Sequence, residues 1–322
     1  MDSAAGLGHA EEVTKKALFL VAALFSCLPF CSPPVALALG LIFGLLGANA
    51  WPAKTHLVSR ELLKLSVIGL GFGMDLRSVL HTGEISFVYT ALGIAGALAL
   101  GFFLGKRLSV SRNATFLIAA GTSICGGSAI AAVRSVLDAG EEETAVSLTT
   151  IFVLNSIALL VFPLIGHSFG LSQRQFGLWA ALAIHDTSSV VGAGIKYGPG
   201  ALVVGTTVKL VRALWIVPVT LLAAMLLRRG TETVKTKWPW FILFFLLAAW
   251  ARSLFPAADR LWDGLASLAR IGFCLTLFLI GAGLSRSGLR NLGWRPLALG
   301  ISLWVVVAAT SLLLIRSGWI RI

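Results

Sequence analysis

Thr144–Gly166 reads TAVSLTTIFVLNSIALLVFPLIG, a run without one charged side chain. A helix rises 1.5 Å per residue, so about 20 apolar residues cross the ~30 Å hydrocarbon core of a bilayer, and this run is long enough. Runs of the same kind recur from one end of the 322-residue chain to the other. Hydrophobic residues make up 57% of the chain and charged residues only 12%, with a mean hydropathy of +0.90. A soluble domain carries about 25% charged residues, so a water-facing surface of ordinary size cannot be built here. The expected class is all-α: a polytopic membrane protein with about eleven transmembrane helices. Residues 1–322 then form a single transmembrane domain, with no length left for a separate soluble one.

Outward from that run, Pro, Gly and charge punctuate every junction. The expected spans are 15–31, 34–50, 57–74, 85–105, 113–137 and 142–166, then 175–195, 200–227, 239–255, 261–284 and 296–315. Glu11, Glu12, Lys15 and Lys16 precede the first, which reads as a retained helix rather than a cleaved signal peptide. The net charge of +12 does not indicate a nucleic-acid partner. Basic residues of such binders gather on one face or arm, whereas here they sit in pairs and triplets between apolar runs. With the N-terminus in the cytoplasm, that side receives sixteen of the 26 Lys and Arg, among them Lys106, Arg107, Arg228, Arg229, Lys235 and Lys237, and the other side seven. This excess predicts N-inside and C-outside. Trp51, Trp238, Trp240, Trp294 and Trp319 fall at segment ends, as interfacial anchors do. The cysteines Cys27, Cys31, Cys125 and Cys274 lie in apolar segments without zinc-ligand spacing. Cys27 and Cys31 are expected to share a helix face as small buried hydrophobes.

Internal similarity is weak. SRELLKLSVIGLGFGM (59–74) and VRALWIVPVTLLAAML (211–226) lie five spans apart, an odd offset that predicts inverted repeats. Residues 14–33 are then an extra first helix, 34–170 the first repeat and 171–322 the second. Other pairings compete. GLGFGMDL (69–76) resembles LIGAGLSRS (279–287), and both AVSLTT (145–150) and VVGTT (203–207) precede apolar runs ending at Pro163 and Pro218.

Polarity at lipid depth marks the candidate site. Gly121-Thr122-Ser123-Ile124-Cys125-Gly126-Gly127-Ser128 occupies the middle of an expected span. Glycine costs about 1 kcal/mol relative to alanine inside a helix. Broken backbone at that depth is tolerated only where it is buried in protein or lines a cavity; close helix packing through small residues is the alternative. His185-Asp186-Thr187-Ser188-Ser189 is denser still, and a charge at the bilayer centre costs about 2.5–3.5 kcal/mol. Lys209 and Arg212, three apart and so on one face, follow Thr206 and Thr207. One of these cations is expected to pair with Asp186. The other is left for an anionic ligand, or both belong to a structural network. Thr149, Thr150, Asn155 and Ser156 read equally as interhelical glue or ligands, and Arg60, Glu61 and Lys64 as a snorkelling helix end. Amides at helix breaks, hydroxyls and a Lys/Arg pair make donor-rich, positive surroundings suited to a small oxyanion.

GTSICGGSAIAAV (121–133), WAALAIHDTSSVVGAG (179–194) and TTVKLVRALWIVPVTL (206–221) closely resemble the YeiH-like sulfate exporter family of bacteria. The resemblance implies a transporter of the bacterial inner membrane. It also implies kinship with the bile acid, arsenite and riboflavin transporter superfamily, whose inverted five-helix repeats cross at two broken helices. The family's motif positions fall on Ser123, Gly126, Gly127, Ser128, His185, Asp186, Lys209 and Arg212.

The function expected is secondary active transport of a small anion, such as sulfate, a related oxyanion or an organic anion. Substrate binding is expected on Ser123, Gly126, Gly127, Ser128, Thr187, Ser188, Lys209 and Arg212, and coupling to H⁺ or Na⁺ on His185 and Asp186. No catalytic residue, metal or cofactor is expected. Partners are the anionic substrate and the lipid bilayer, not nucleic acid, with homo-oligomerisation left open. The alternatives are an anion channel or sensor-like membrane protein without ion coupling, and an intramembrane enzyme. The enzyme would need Ser128 or Ser189 activated by His185 or Lys209, and no nucleophile turn supports it.

Overall fold

The computed structural model describes residues 2–28, 30–134, 136–137, 139–227, 240–284, 286, 290 and 293–321. Arg228, Arg229, Lys235, Lys237 and Trp238, and Ser285 and Ser287 of one competing repeat match, lie outside the described residues. Regular structure among the described residues is helical throughout. The helices are α1 (Asp2–Ser26), α2 (Pro33–Leu45), α3 (Pro52–Gly71), α4 (Leu76–Arg107) and α5 (Arg112–Ser123). Then come α6 (Gly127–Arg134), α7 (Glu141–Ser168), α8 (Gln173–Ala183), α9 (Thr187–Tyr197) and α10 (Pro199–Leu214). Last are α11 (Ile216–Leu227), α12 (Trp240–Leu254), α13 (Asp259–Ala282) and α14 (Trp294–Arg316).

Five stretches among the described residues are long and apolar enough to span a bilayer: α4, α7, residues 199–223 (α10 and most of α11), residues 256–282 with α13, and α14. Leu92, Leu164 and Leu313 on three of them are exposed by 68%, 67% and 66%, the outward apolar surface that lipid covers. Residues 75–84, expected as a connection, are instead the cap and first turns of α4. Asp75 starts that helix early by accepting the Ser78 amide at 2.9 Å. Cys27 follows the end of α1, and Cys31 lies in the connection before Pro33, so the two do not share a helix face. Pro33 and Pro34 suit the first turn of the next helix and disfavour helix before them. All four cysteines are free thiols.

Packing divides the chain into two compact units. One comprises Met1–Gly73 and Phe244–Leu289. Within it α13 lies against α2 and α3, close enough that a Cβ on Gly281 would sit 2.6 Å from the Leu37 carbonyl oxygen. Small residues permit that approach where no water drives helices together.

The other unit, Met74–Leu243 and Arg290–Ile322, contains every candidate site residue. The stretches 113–137 and 175–195, each expected as one membrane-crossing helix, are not continuous helices. Each folds back on itself as a helical hairpin. In α8–α9 the Tyr197 hydroxyl donates to the Leu171 carbonyl at 2.7 Å, and its ring stacks on Phe176 at 3.7 Å. A continuous helix would hold residues 176 and 197 about 30 Å apart. In α5–α6, Ile130 packs on Gly121, within 3.0 Å of where a Cβ would be. Ser111 and Asn113, before and within the first turn of α5, donate to the Glu143 carboxylate at the start of α7. The chain therefore returns to the level it left. The tips are residues 124–126 and 184–186.

Candidate functional site

Helix α7 sets the two hairpins against each other. Its first turn lies at the base of α5–α6 through Glu143. Its last turns lie at the base of α8–α9, where Gly166 packs on Phe176 and Tyr197. Its middle meets both tips: Ile151 lies against Gly126, and the Asn155 side-chain oxygen accepts the His185 amide at 3.1 Å. With 28 residues, α7 is about 42 Å long and qualifies as a span. The hairpins thus approach from opposite ends of a span and meet near its centre. A Cβ on Gly126 would lie 3.1 Å from that of Asp186. Gly126 has φ +64°, a left-handed conformation that glycine adopts without a Cβ clash; its amide donates to the Gly121 carbonyl at 2.9 Å, closing the end of α5.

The meeting of tips brings four half-helix ends together, and the side chains sort by polarity. The C-terminal ends of α5 and α8 expose carbonyls. Lys209, 0% exposed, donates to Ile184 O at 2.6 Å and Ala181 O at 3.5 Å. Arg212, 2% exposed, donates from Nη1 to Ala181 O at 2.9 Å and Leu182 O at 2.5 Å. Its Nε and Nη2 donate to Ser123 O. One guanidinium therefore joins the ends of both hairpins. Cations at helix C-termini also match the partial negative charge there. Both reach this position because α10 lies hard against α8. A Cβ on Gly177 would sit 2.6 Å from Ala201 O, and Ala201, Gly205 and Lys209 recur at four-residue spacing along that face.

The N-terminal ends of α6 and α9 carry the rest. Asp186 caps α9: Oδ1 accepts the Ser189 amide at 2.8 Å, and Oδ2 accepts the Ser188 hydroxyl at 2.7 Å. Among the described residues no ion pair joins Asp186 to Lys209 or Arg212, which corrects the expected pairing. The carboxylate oxygens already hold α9, and carbonyl ends hold the cations. Gly127 and Thr187 are half-buried and Ser128 is exposed, so the first-turn amides of α6, which have no acceptor within the helix, lie nearest the accessible side. Ser123 contributes its carbonyl to Arg212, while its hydroxyl donates to Ala120 O at 3.3 Å. Ser188 is spent on Asp186. Of the expected binding residues, Gly126, Gly127, Ser128 and Thr187 thus gather at the N-terminal ends, and Ser123, Lys209 and Arg212 at the carbonyl ends.

His185 is buried, and among the described residues neither ring nitrogen has a hydrogen-bond partner. Its ring faces Trp304 of α14, centroids 6.4 Å apart. Sequence reading passed over Trp304. The one signal was a tryptophan in mid-span rather than at a segment end, where anchors fall.

A bundle of apolar helices with two opposed hairpins meeting over buried cations is a multi-pass membrane protein. The chain belongs to the family described as Conserved hypothetical protein 698, whose profile matches residues 17–300; this is the YeiH-like family to which the three motifs point. It is 47% identical to a UPF0324 membrane protein of Geobacter sulfurreducens, over 95% of this chain and 97% of the relative. It is 47% identical to another from Bdellovibrio bacteriovorus, over 97% and 99%, and 44% identical to one from Vibrio vulnificus, over 93% and 98%. No solved structure matches the chain.

Proposed function

We propose that the chain is a secondary active transporter of a small anion in the bacterial inner membrane, working by alternating access around the hairpin tips. One observation carries this: two hairpins meet tip to tip from opposite ends of α7, at Gly126 and Asp186. A site between opposed re-entrant elements can open to either face by moving one of them. Buried Lys209 and Arg212 against Asp186 leave a formal excess of one positive charge around the tips, and the α6 amides add donors, which suits an anion.

An inverted repeat fits this reading, in a different register from 34–170 with 171–322. The pairing that the hairpins favour is the one carried by the two Thr-Thr pairs, 149–150 and 206–207, with prolines at 163 and 218. Hairpin α5–α6 and α7 then match hairpin α8–α9 and α10–α11. Asn155 and Arg212 take equivalent positions, each on the helix after one hairpin and each bonded to the other hairpin, at its tip or the residue beside it. About nine crossings remain of the eleven. Re-entry moves Arg134 to the cytoplasmic side and Arg174 away from it, so the charge balance still favours N-inside and C-outside.

The test is counterflow. Purified protein in liposomes preloaded with unlabelled sulfate, sulfite, phosphate or methanesulfonate should accumulate the labelled form of one of them without a membrane potential. A channel equilibrates label without accumulating it, and that result would refute the transporter reading. No catalytic step is assigned: Ser189 gives its amide to Asp186.

A further inference from the structure

Three buried polar groups around His185 are not used by the fold. Among the described residues the imidazole has no hydrogen-bond partner at Nδ1 or Nε2. Asn155 Nδ2 has none, and the Trp304 indole N–H, also buried, has none. They come from three elements of one unit and are joined by a short chain of contacts. Asn155 Oδ1 holds the His185 amide at 3.1 Å, and His185 faces the Trp304 ring at 6.4 Å. Trp304 in turn stacks on Phe162 at 5.7 Å, two helical turns from Asn155 on the same face of α7. A close approach of α14 to α7 fixes this arrangement: Gly300, one turn before Trp304, packs against Thr150 and Leu154.

The chemistry of the cluster is weighted toward donors. The Asn155 oxygen is committed to the His185 amide, so the orientation of its carboxamide is set and both amino hydrogens point away from that bond. Indole offers only a donor, and neutral imidazole offers a donor at one nitrogen and an acceptor at the other. Leaving such groups buried and unmet costs about 1–3 kcal/mol each, which native proteins rarely tolerate without a ligand or water. What completes them is a molecule rich in acceptors. With Lys209 and Arg212 buried near the same tip, a small oxyanion fits better than a neutral acceptor.

We propose that Asn155, His185 and Trp304 form the pocket that reads the substrate, gripping one or more oxygens of a small oxyanion through neutral donors. This rests on the transporter reading and names the part of the site that selects the ligand. It separates two tasks: the cations provide field from the carbonyl ends, and the neutral donors provide contact.

Two substitutions isolate the donors. Asn155→Asp keeps an oxygen for the His185 amide and replaces the amino group with a second carboxylate oxygen. Trp304→Phe keeps a ring on Phe162 and removes the N–H. Sulfate, sulfite, phosphate, acetate and methanesulfonate are titrated calorimetrically into the purified full chain and into both variants, each first shown to be folded by its thermal melt. For whichever anion binds the parent protein, Trp304→Phe should weaken binding roughly two- to tenfold, the loss of one neutral hydrogen bond. Asn155→Asp should weaken it about a hundredfold or more, because a donor becomes a like charge. Parental affinity in both variants overturns the proposal, as does the absence of any response from all five anions. Lower stability with unchanged affinity also overturns it and leaves the cluster a water site. If Asn155→Asp does not fold, Trp304→Phe decides alone. Counterflow with unaltered affinity in the variants would sink this pocket and leave the transporter standing. Loss of counterflow in the parent protein would remove the transporter instead.

Discussion

Arg212→Lys keeps the charge and tests whether the guanidinium acts as a clamp. Arg212 reaches three carbonyls on two hairpins: Ser123 O at the end of α5, and Ala181 O and Leu182 O at the end of α8. Its planar fork presents donors in two directions at once, whereas a lysine ammonium is a compact point charge on a shorter reach. Lysine can serve one hairpin end and leaves the other bare. The loss is one charge-assisted contact, about 1.5–3 kcal/mol, with a buried carbonyl unmet. Thermal unfolding of the purified protein should therefore show a lower midpoint. Counterflow should slow, because the tips are no longer held in register, while anion affinity stays within about threefold. Arg212→Met, which abandons both ends, should be worse, approaching the 3–5 kcal/mol typical of breaking a buried charged network. A direct role in gripping the anion makes the opposite forecast: a melt like the parent's and affinity lower by ten- to a hundredfold. That pair of results would refute the clamp.

Gly126→Ala should destabilise by about 1–2 kcal/mol through its left-handed backbone and slow transport as well, since the new methyl meets Asp186. Gly47→Ala, at φ +68° with nothing within 4 Å, should cost stability alone; equal effects of the two on transport would count against a meeting of tips. Asp186→Asn should melt within about 0.5 kcal/mol of the parent, because Asn caps as well as Asp, and Asp186→Ala should lose about 0.5–2 kcal/mol. If Asp186 carries the coupled cation, Asp186→Asn alone should also lose gradient-driven uptake while exchange persists. Single cysteines at residues 112 and 134 should react with an impermeant maleimide from one face of the membrane, and cysteines at 174 and 196 from the other. Labelling of 112 and 134 from opposite faces would restore a crossing segment there.

The membrane class was legible in the sequence because it depends on quantities that sequence states directly: charge, run length and the residues between runs. The breaks were legible for the same reason, since Gly126 and Asp186 carry local conformational preferences of their own. Re-entry was not. A run of 25 residues such as 113–137 has the same length and polarity whether it crosses once or turns back at its middle. The difference lies in long-range closures, Ser111 and Asn113 on Glu143 and Tyr197 on Leu171, which no periodicity encodes. The Thr-Thr pairing is one of several matches of similar quality among short apolar strings, and such strings alone do not rank them.

The fate of the buried charges follows from the same geometry. Two cations and one carboxylate in neighbouring segments invite an ion pair when sequence is all that is known, because each charge needs a partner at lipid depth. Helix ends at that depth change the count. Every half-helix that stops inside the core brings up to four unsatisfied groups of one sign. The ends of α5 and α8 draw Lys209 and Arg212, and the start of α9 draws Asp186. Each charge is thereby bound to backbone and fixed in place, yet its field is not cancelled by direct contact with an opposite charge. An ion pair would have neutralised the tips. Capping separates the charges instead, holding the cations at the carbonyl ends and the carboxylate at the start of α9.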